Sequence, residues 1–341
     1  MAERLRAGVI GCGVGAAHAT AFQNDPDVHL VAVCDLNSEV LGRVYERAHI
    51  APDQVRAYAD FQDMLHRERL DLVGVATPDE HHATPLLAAV EAGVRGILCE
   101  KPLSSTLADA DRMIAAVEQR GVKLLVDHTR NFEPAYTAVR DRLHAGAIGQ
   151  LTRVVAYLGG RRAMLFRNTT HLLGAVLFYV ESEPRWVMAA LDHGFEDYGT
   201  TYHGQGGKDP ALDPGATLIV DFANGVRALV MASKGTPQLG VELDLLGTRG
   251  RIQVGDRATR FWQTATDEGA LEAREVSWPQ GIQGDLGTRL APAVAQLVEM
   301  VRHDRPGNSP PRAARSVLEI MQGALVSQAS GMIPVTLPLP R

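Results

Sequence analysis

From Arg6 to Val126 the chain alternates short, nearly continuous apolar runs with amphipathic stretches, and this alternation narrows the fold more than any other feature. Continuous apolar runs suit strands buried on both faces, and a helix between two such strands returns the chain so that they lie parallel. Strands are expected at Arg6–Ile10, His29–Cys34, Leu72–Ala76, Gly96–Cys99 and Lys123–Val126. Helices are expected at about Ala16–Asn24, Ser38–His49, Phe61–Arg67, His82–Ala92 and Leu107–Gln119. The fold class is α/β, beginning with a doubly wound parallel sheet.

After Arg130 the texture changes to period-two runs separated by Gly, Asp and Asn: Leu151–Leu158, Arg185–Leu191, Ala216–Phe222, Val226–Ser233, Val241–Leu246, Arg251–Val254 and Arg260–Gln263. Such runs with turns like Ala223-Asn224-Gly225 describe a C-terminal α+β domain built on a large, mostly antiparallel open sheet. The helical stretch Ala313–Gly331 is apolar at Val317, Leu318, Ile320, Met321, Ala324 and Leu325 and should close the chain by packing on that sheet. At 341 residues the chain suits two domains, expected at 1–128 and 129–341. The segments Gly204–Gly215 and Arg305–Arg312 read as loops, the first long and polar enough to hang over a site.

Net charge is −6 without a basic run, which argues against nucleic acid or an anionic membrane as partner. Cys12, Cys34 and Cys99 lack metal-ligand spacing and read as reduced core thiols. The start has no apolar signal core and no apolar stretch approaches the ~20 residues of a membrane span, so the expected location is cytoplasmic.

Gly8-Val-Ile-Gly11-Cys-Gly13-Val14-Gly15-Ala16 follows a strand and opens a helix, the context of a dinucleotide turn. Gly11 would make the tight turn, Gly13 would admit the pyrophosphate, and Gly15 or Ala16 would be the third small position. Asp35, at the end of the second strand, can accept both ribose hydroxyls of the adenosine half. It repels a 2′-phosphate and no Arg follows closely, so NAD is expected and NADP disfavoured. Thr77 and Pro78 end the next strand at the same sheet edge, facing the nicotinamide half, with His82 opening a helix nearby. Adjacent His81 and His82 diverge in a turn, and no second His/Cys cluster has ligand spacing, so no metal is expected. Glu100-Lys101-Pro102 ends the fourth of these strands and puts an amine where an open α/β sheet offers its ligand site. A lysine there can hold a hydroxyl or stabilise an alkoxide.

The set Gly11-x-Gly13, Asp35, Thr77-Pro78-x-x-x-His82, Glu100-Lys101-Pro102, Arg130-Asn-Phe-x-Pro134, Gly146-x-x-Gly149 and Ser327-x-x-Ser330-Gly-x-x-Pro-Val335-Thr-Leu-Pro338-Leu resembles the glucose–fructose oxidoreductase, inositol dehydrogenase and MocA (Gfo/Idh/MocA) family over nearly the whole chain. The resemblance implies an N-terminal Rossmann domain that binds NAD(H) or NADP(H). It also implies oxidation or reduction of sugars, cyclitols and related polyols, and a C-terminal open sheet that forms the interface of a homodimer or homotetramer. By the same resemblance Lys101 is the catalytic lysine, Arg130 an arginine near the site, and His171 the general acid/base. Independently, histidine is the side chain suited to take a hydroxyl proton near neutrality. Where the family often carries Asp four residues before and three after this histidine, the chain has Arg167 and Gly174, with Asn168 beside the first.

The expected reaction is hydride transfer between a secondary hydroxyl of a sugar, sugar acid or cyclitol and NAD. A second reading keeps NAD tightly bound and oxidises the sugar only transiently, for elimination or epimerisation. A third is a non-catalytic dinucleotide or sugar sensor. Asn168, Arg167, Tyr202 and His203 are candidate substrate contacts, and the alternative for Tyr198–His203 is a solvated loop. Arg161 and Arg162 could meet a substrate carboxylate or a neighbouring subunit, or form a solvated surface.

Overall fold

The computed structural model describes residues 3–51, 53–202, 209–237, 240–264, 269–281 and 284–340. In chain order the first elements are β1 (Leu5–Ile10), α1 (Ala16–Asn24), β2 (Val28–Cys34), α2 (Ser38–Arg47), β3 (Arg56–Tyr58), α3 (Phe61–Glu68), β4 (Leu72–Val75), α4 (Ala83–Glu91), β5 (Gly96–Cys99), α5 (Leu107–Arg120) and β6 (Lys123–Val126). There follow α6 (Pro134–His144), β7 (Leu151–Gly159), α7 (Thr169–Val180), β8 (Pro184–Leu191), β9 (Ala216–Phe222), β10 (Arg227–Ser233), β11 (Gly240–Gly247), β12 (Gly250–Gly255), β13 (Thr259–Gln263) and β14 (Glu272–Arg274). The chain closes with α8 (Leu286–His303), α9 (Pro311–Ala329) and β15 (Val335–Thr336).

The chain divides into two compact units, Met1–Phe132 with Ile282–Arg315, and Glu133–Gly281 with Ser316–Arg341. In the first, six parallel strands run in the order β3-β2-β1-β4-β5-β6. The order reverses between β1 and β4, so the crevice beyond their carboxyl ends is the ligand position of a doubly wound sheet. Strands β4 and β5 are buried along their whole length, as their apolar sequences require. Local caps set the helix starts: Asn37 accepts from Glu39 N, Asp60 from Gln62 N and Thr106 from Asp109 N. The edge strand β3 escapes sequence reasoning because its three residues are exposed or half-buried and show no apolar run.

The expected continuous second domain from 129 to 341 differs from these units. Helix α8 buries Leu290, Ala293, Val294, Leu297 and Val298 in the same core as Val9, Phe22, Leu30 and Leu98 of the first unit. The reason is its periodicity: those residues recur every three or four positions and form one apolar stripe, which the parallel sheet and α1 cover.

In the second unit nine strands run in the order β14-β13-β12-β11-β7-β10-β9-β8-β15, antiparallel throughout except for the parallel pair β7–β10. Helix α7 is apolar along nearly its whole length and packs on β7 and β10. Helix α9 packs beside β8, where Ser327 Oγ accepts from Ala189 N at 3.0 Å, and its residues Val317, Leu318, Ile320, Met321, Ala324 and Leu325 are buried as expected. Among the described residues no helix is long and apolar enough to cross a membrane.

Candidate active site

β1 ends at Ile10 and α1 begins at Ala16, so Gly11 to Gly15 must turn the chain at the switch point. Gly11 has φ +86°, and a Cβ there would lie 2.6 Å from the Ala76 carbonyl and from Thr77 N at the end of β4. A Cβ on Gly15 would lie 1.9 Å from Gly11 O, which makes Gly15, not Ala16, the third small position. These two glycines are required by the protein itself. A Cβ on Gly13 would meet nothing within 4 Å, so the space beside Gly13 is open. Ala16 is the first residue of α1, whose first turn has no acidic residue and no side-chain cap, and Val14 beside it is 41% exposed. Ala17 N donates to Val14 O at 2.9 Å, and the positive end of the helix carries no side-chain cap or acid and so remains available to an anion.

Asp35 follows β2 and stands at the edge of this turn. Its Oδ2 accepts from Cys12 N at 2.7 Å and its Oδ1 from Asn37 N at 2.8 Å, so backbone donors on both sides fix the carboxylate. The next residue, Leu36, is 93% exposed and offers no charge to a phosphate. The three cysteines are buried and free, and burial, followed by the Asp35 charge, pushes the Cys12 and Cys34 thiols up to about 12.

At the ends of β4 and β5 lie Thr77, Pro78, Glu100 and Lys101. Pro78 is exposed and Lys101 half-buried, and the Thr77 hydroxyl is buried with no hydrogen-bond partner. Buried hydroxyls normally find one, and a bound ligand would supply it. His82 is 1% exposed, with Nε2 2.9 Å from Thr77 O and Nδ1 3.0 Å from Pro102 O and 3.2 Å from Leu103 O. It thus ties the Thr77 turn to the Lys101 turn, and any influence on a ligand runs through those two turns. Arg130 sits half-buried in the single helical turn Thr129–Phe132 after β6.

Beneath Lys101 three buried side chains meet. His18 from α1, Glu100 and Asp127 each place a polar atom within 4.8 Å of the others. His18 Nε2 is 3.2 Å from Glu100 Oε1, Lys101 N donates to Glu100 Oε2 at 3.3 Å, and the Thr129 hydroxyl donates to Asp127 Oδ1 at 2.9 Å. Burial works to raise the Glu100 carboxyl, but the hydrogen bond and charge of His18, with Lys101, outweigh it and bring it to about 2. Burial, then the Glu100 charge, pushes Asp127 up to about 7. Next in the chain, His128 is driven down to about 3 by burial and then by Lys101; its Nδ1 is 3.2 Å from the Ser309 hydroxyl. Glu100, by its place at the end of β5 expected beside the cofactor, keeps its backbone at that sheet edge while its side chain turns inward to His18.

The remaining candidates belong to the second unit. His171 lies in the first turn of α7, its backbone N donating to Asn168 O at 3.0 Å, and Asn168 is the N-cap without a side-chain cap bond. Arg167, Asn168, His171 and Tyr202 are all half-buried, and Tyr202 stacks on Phe166 with ring centroids 3.9 Å apart. His203 lies outside the described residues, as do residues 204–208 of the loop that follows it. Sequence reasoning missed Asp213. It is fully buried, and its carboxylate accepts from Phe166 N at 3.2 Å and Arg167 N at 3.1 Å, strapping the backbone that leads into α7. Lys234 holds that strap by donating to Pro210 O at 2.8 Å and Asp213 O at 2.9 Å. No local pattern around Asp213 signals this, because its partners are more than forty positions away. The Arg162 guanidinium is held below its ordinary value by burial and then by the charge of Arg167, so the two arginines share one neighbourhood.

Residues 5–128 match the family model described as an oxidoreductase family with an NAD-binding Rossmann fold. The chain is 38% identical to the D-apiose dehydrogenase of Paraburkholderia graminis over 43% of this chain and 38% of that protein, so the match spans well under half of that relative. It is 30% identical to the myo-inositol 2-dehydrogenase of Thermotoga maritima over 84% of this chain and 81% of that protein. A crystal structure of an oxidoreductase domain protein from Kribbella flavida shares the fold, with a TM-score of 0.84 and 20% identity over 99% of this chain and 100% of that one. With a Rossmann unit that carries the matched motifs and a relative aligned across most of both chains, this protein belongs to the Gfo/Idh/MocA oxidoreductase family.

Proposed function

We propose that the protein transfers hydride between a secondary hydroxyl of a sugar, sugar acid or cyclitol and NAD. The observation that carries this reading is Lys101 at the carboxyl end of β5, on the same sheet edge as a glycine turn whose Gly13 faces open space. The orphaned Thr77 hydroxyl and the uncapped start of α1 fit a dinucleotide with polar groups to offer them. NAD, when bound, supplies the hydride acceptor.

In this reading the amides of Gly13 to Gly15 and the start of α1 take the diphosphate, while Gly11 N and Cys12 N hold the turn to Cys34 O and Asp35, and Asp35 takes the ribose hydroxyls and repels a 2′-phosphate. Thr77 and Pro78 border the nicotinamide half, held by His82 through the Thr77 carbonyl. Lys101 donates to the reacting oxygen and stabilises its negative charge, and His171 takes the hydroxyl proton. Arg130, Arg167, Asn168 and Tyr202 orient the substrate. The buried free thiols suit a cytoplasmic setting.

Assembly is proposed through the outer face of the nine-stranded sheet. Val155, Leu229, Ile219 and Met188 line up across β7, β10, β9 and β8 as a half-buried apolar row, which a second copy would cover. The test of function is a panel of sugars, sugar acids and inositols with NAD, followed by NADH absorbance. One or more should yield NADH, and Lys101→Ala should lower kcat by about a hundredfold or more while NAD still binds. Unchanged turnover in that variant refutes the assignment, and substrate conversion without net NADH refutes net oxidation.

A further inference from the structure

We propose that Asp127 carries a proton in a buried network with His18 and Glu100, and that loss of this proton makes Lys101 keep its positive charge to higher pH. Asp127 is thereby a positioning residue for Lys101, and the idea rests on the reading of Lys101 as the catalytic lysine.

The geometry favours a retained proton. Two carboxylates and one imidazole have polar atoms within 4.8 Å of one another, and Glu100, His18 and Asp127 are respectively 8%, 0% and 2% exposed. Two ionised carboxylates this close in a dry interior repel, which favours one of them keeping a proton. The donors decide which acid gives way. Glu100 has the His18 ring at 3.2 Å and the Lys101 backbone N–H at 3.3 Å, whereas the donor on Asp127 is the neutral Thr129 hydroxyl at 2.9 Å. The proton therefore resides on Asp127, in keeping with its titration near 7 against about 2 for Glu100.

The other groups around the network do not replace it. His82 and the buried Cys99 thiol face Glu100, His128 stays neutral on Ser309, and Asp79 faces Lys101 from the Thr77 side. Asp127 N donates to Cys99 O at 2.8 Å, so the end of β6 lies beside the end of β5 that leads into Lys101, and the charges of Asp127 and Lys101 act on each other; ionising Asp127 therefore adds a negative charge that the ammonium feels. A nearby opposite charge favours the charged form of an amine. Above neutrality, once Asp127 has given up its proton, the network thus holds Lys101 to higher pH as the cation that stabilises an alkoxide.

The chain has four lysines, so labelling lysine Cε with carbon-13 gives few resonances, and Lys101→Arg identifies that of Lys101. Its titration is then followed in the full chain and in Asp127→Asn, with Asp127→Ser as the substitute should the first fail to fold. The expected result is a Lys101 midpoint lower in the variant by about half a pH unit or more. Equal midpoints, or a higher one in the variant, overturn the proposal. In turnover, the alkaline limb of kcat/KM should move to lower pH by the same shift, and a limb that stays in place while the resonance moves overturns the catalytic part. Should the chain bind NAD and oxidise no polyol, the oxidoreductase reading fails, and the resonance alone still decides for or against the network.

Discussion

Alanine at Gly13 and alanine at Gly15 should act in opposite ways, although the two glycines stand two residues apart. At Gly15 the new Cβ would be 1.9 Å from Gly11 O, a backbone atom that cannot swing aside, so the turn must open by roughly 1 Å. Overpacking of this kind costs about 1–3 kcal/mol, and a backbone collision belongs at the upper end. For a folding unit of this size that lowers Tm by roughly 6–12 °C. At Gly13 the Cβ meets nothing within 4 Å and φ is outside the left-handed region. There alanine restricts the unfolded chain and should leave stability unchanged or raise it by about 0.4–1 kcal/mol. Its effect falls on the ligand, because the Cβ occupies the space proposed for the diphosphate. A tenfold loss of affinity at NAD about 100 times the wild-type Kd reduces ligand stabilisation from about 2.7 to about 1.4 kcal/mol. Thermal melts of both variants with and without NAD measure all of these quantities. Gly13→Ala binding NAD like the parent, or losing as much intrinsic Tm as Gly15→Ala, refutes the division of roles in the turn.

Leu297→Ala should cost about 2–5 kcal/mol in urea unfolding, because the side chain is fully buried in the first unit's core; a cost under 1 kcal/mol would mean α8 is dispensable there. Asp35→Ala should weaken NAD binding and also destabilise by about 1–3 kcal/mol, since Cys12 N and Asn37 N lose a charged acceptor, and calorimetry with and without NAD separates the two effects. Asp127 is an acid raised in the folded state, so between pH 4 and 7 the native chain binds more protons than the unfolded one and stability falls as pH rises. The Tm of Asp127→Asn relative to the parent should therefore climb across that window and level off above pH 7, and a constant difference would count against it. His128 runs the other way: its depressed value means stability is lost as pH falls from about 6.5 toward 3, a loss that His128→Gln should reduce in acid melts.

Which parts of the molecule can be read from sequence follows from how local their causes are. The helix Ala16–Asn24 and the strands Gly96–Cys99 and Lys123–Val126 are found with their expected boundaries, because apolar runs and glycine breaks mark both ends. Helix α8 has a plain apolar stripe, but nothing local says that the stripe faces the parallel sheet. The glycine turn and Asp35 are legible because chain neighbours define them. The strap that Asp213 lays on Phe166 and Arg167 is not, because it depends on a backbone approach across 46 or more positions.

The sequence by itself determined the parallel sheet, the family and the position of Lys101 at a strand end, since periodicity and short motifs encode these within a few residues of each other. Only the tertiary structure decided that His18, Glu100 and Asp127 share one dry pocket under that lysine. These residues come from α1, the end of β5 and the end of β6, and they meet because parallel strands align their carboxyl ends while α1 packs against them. Charge state depends on such proximity and burial, and a linear pattern carries neither.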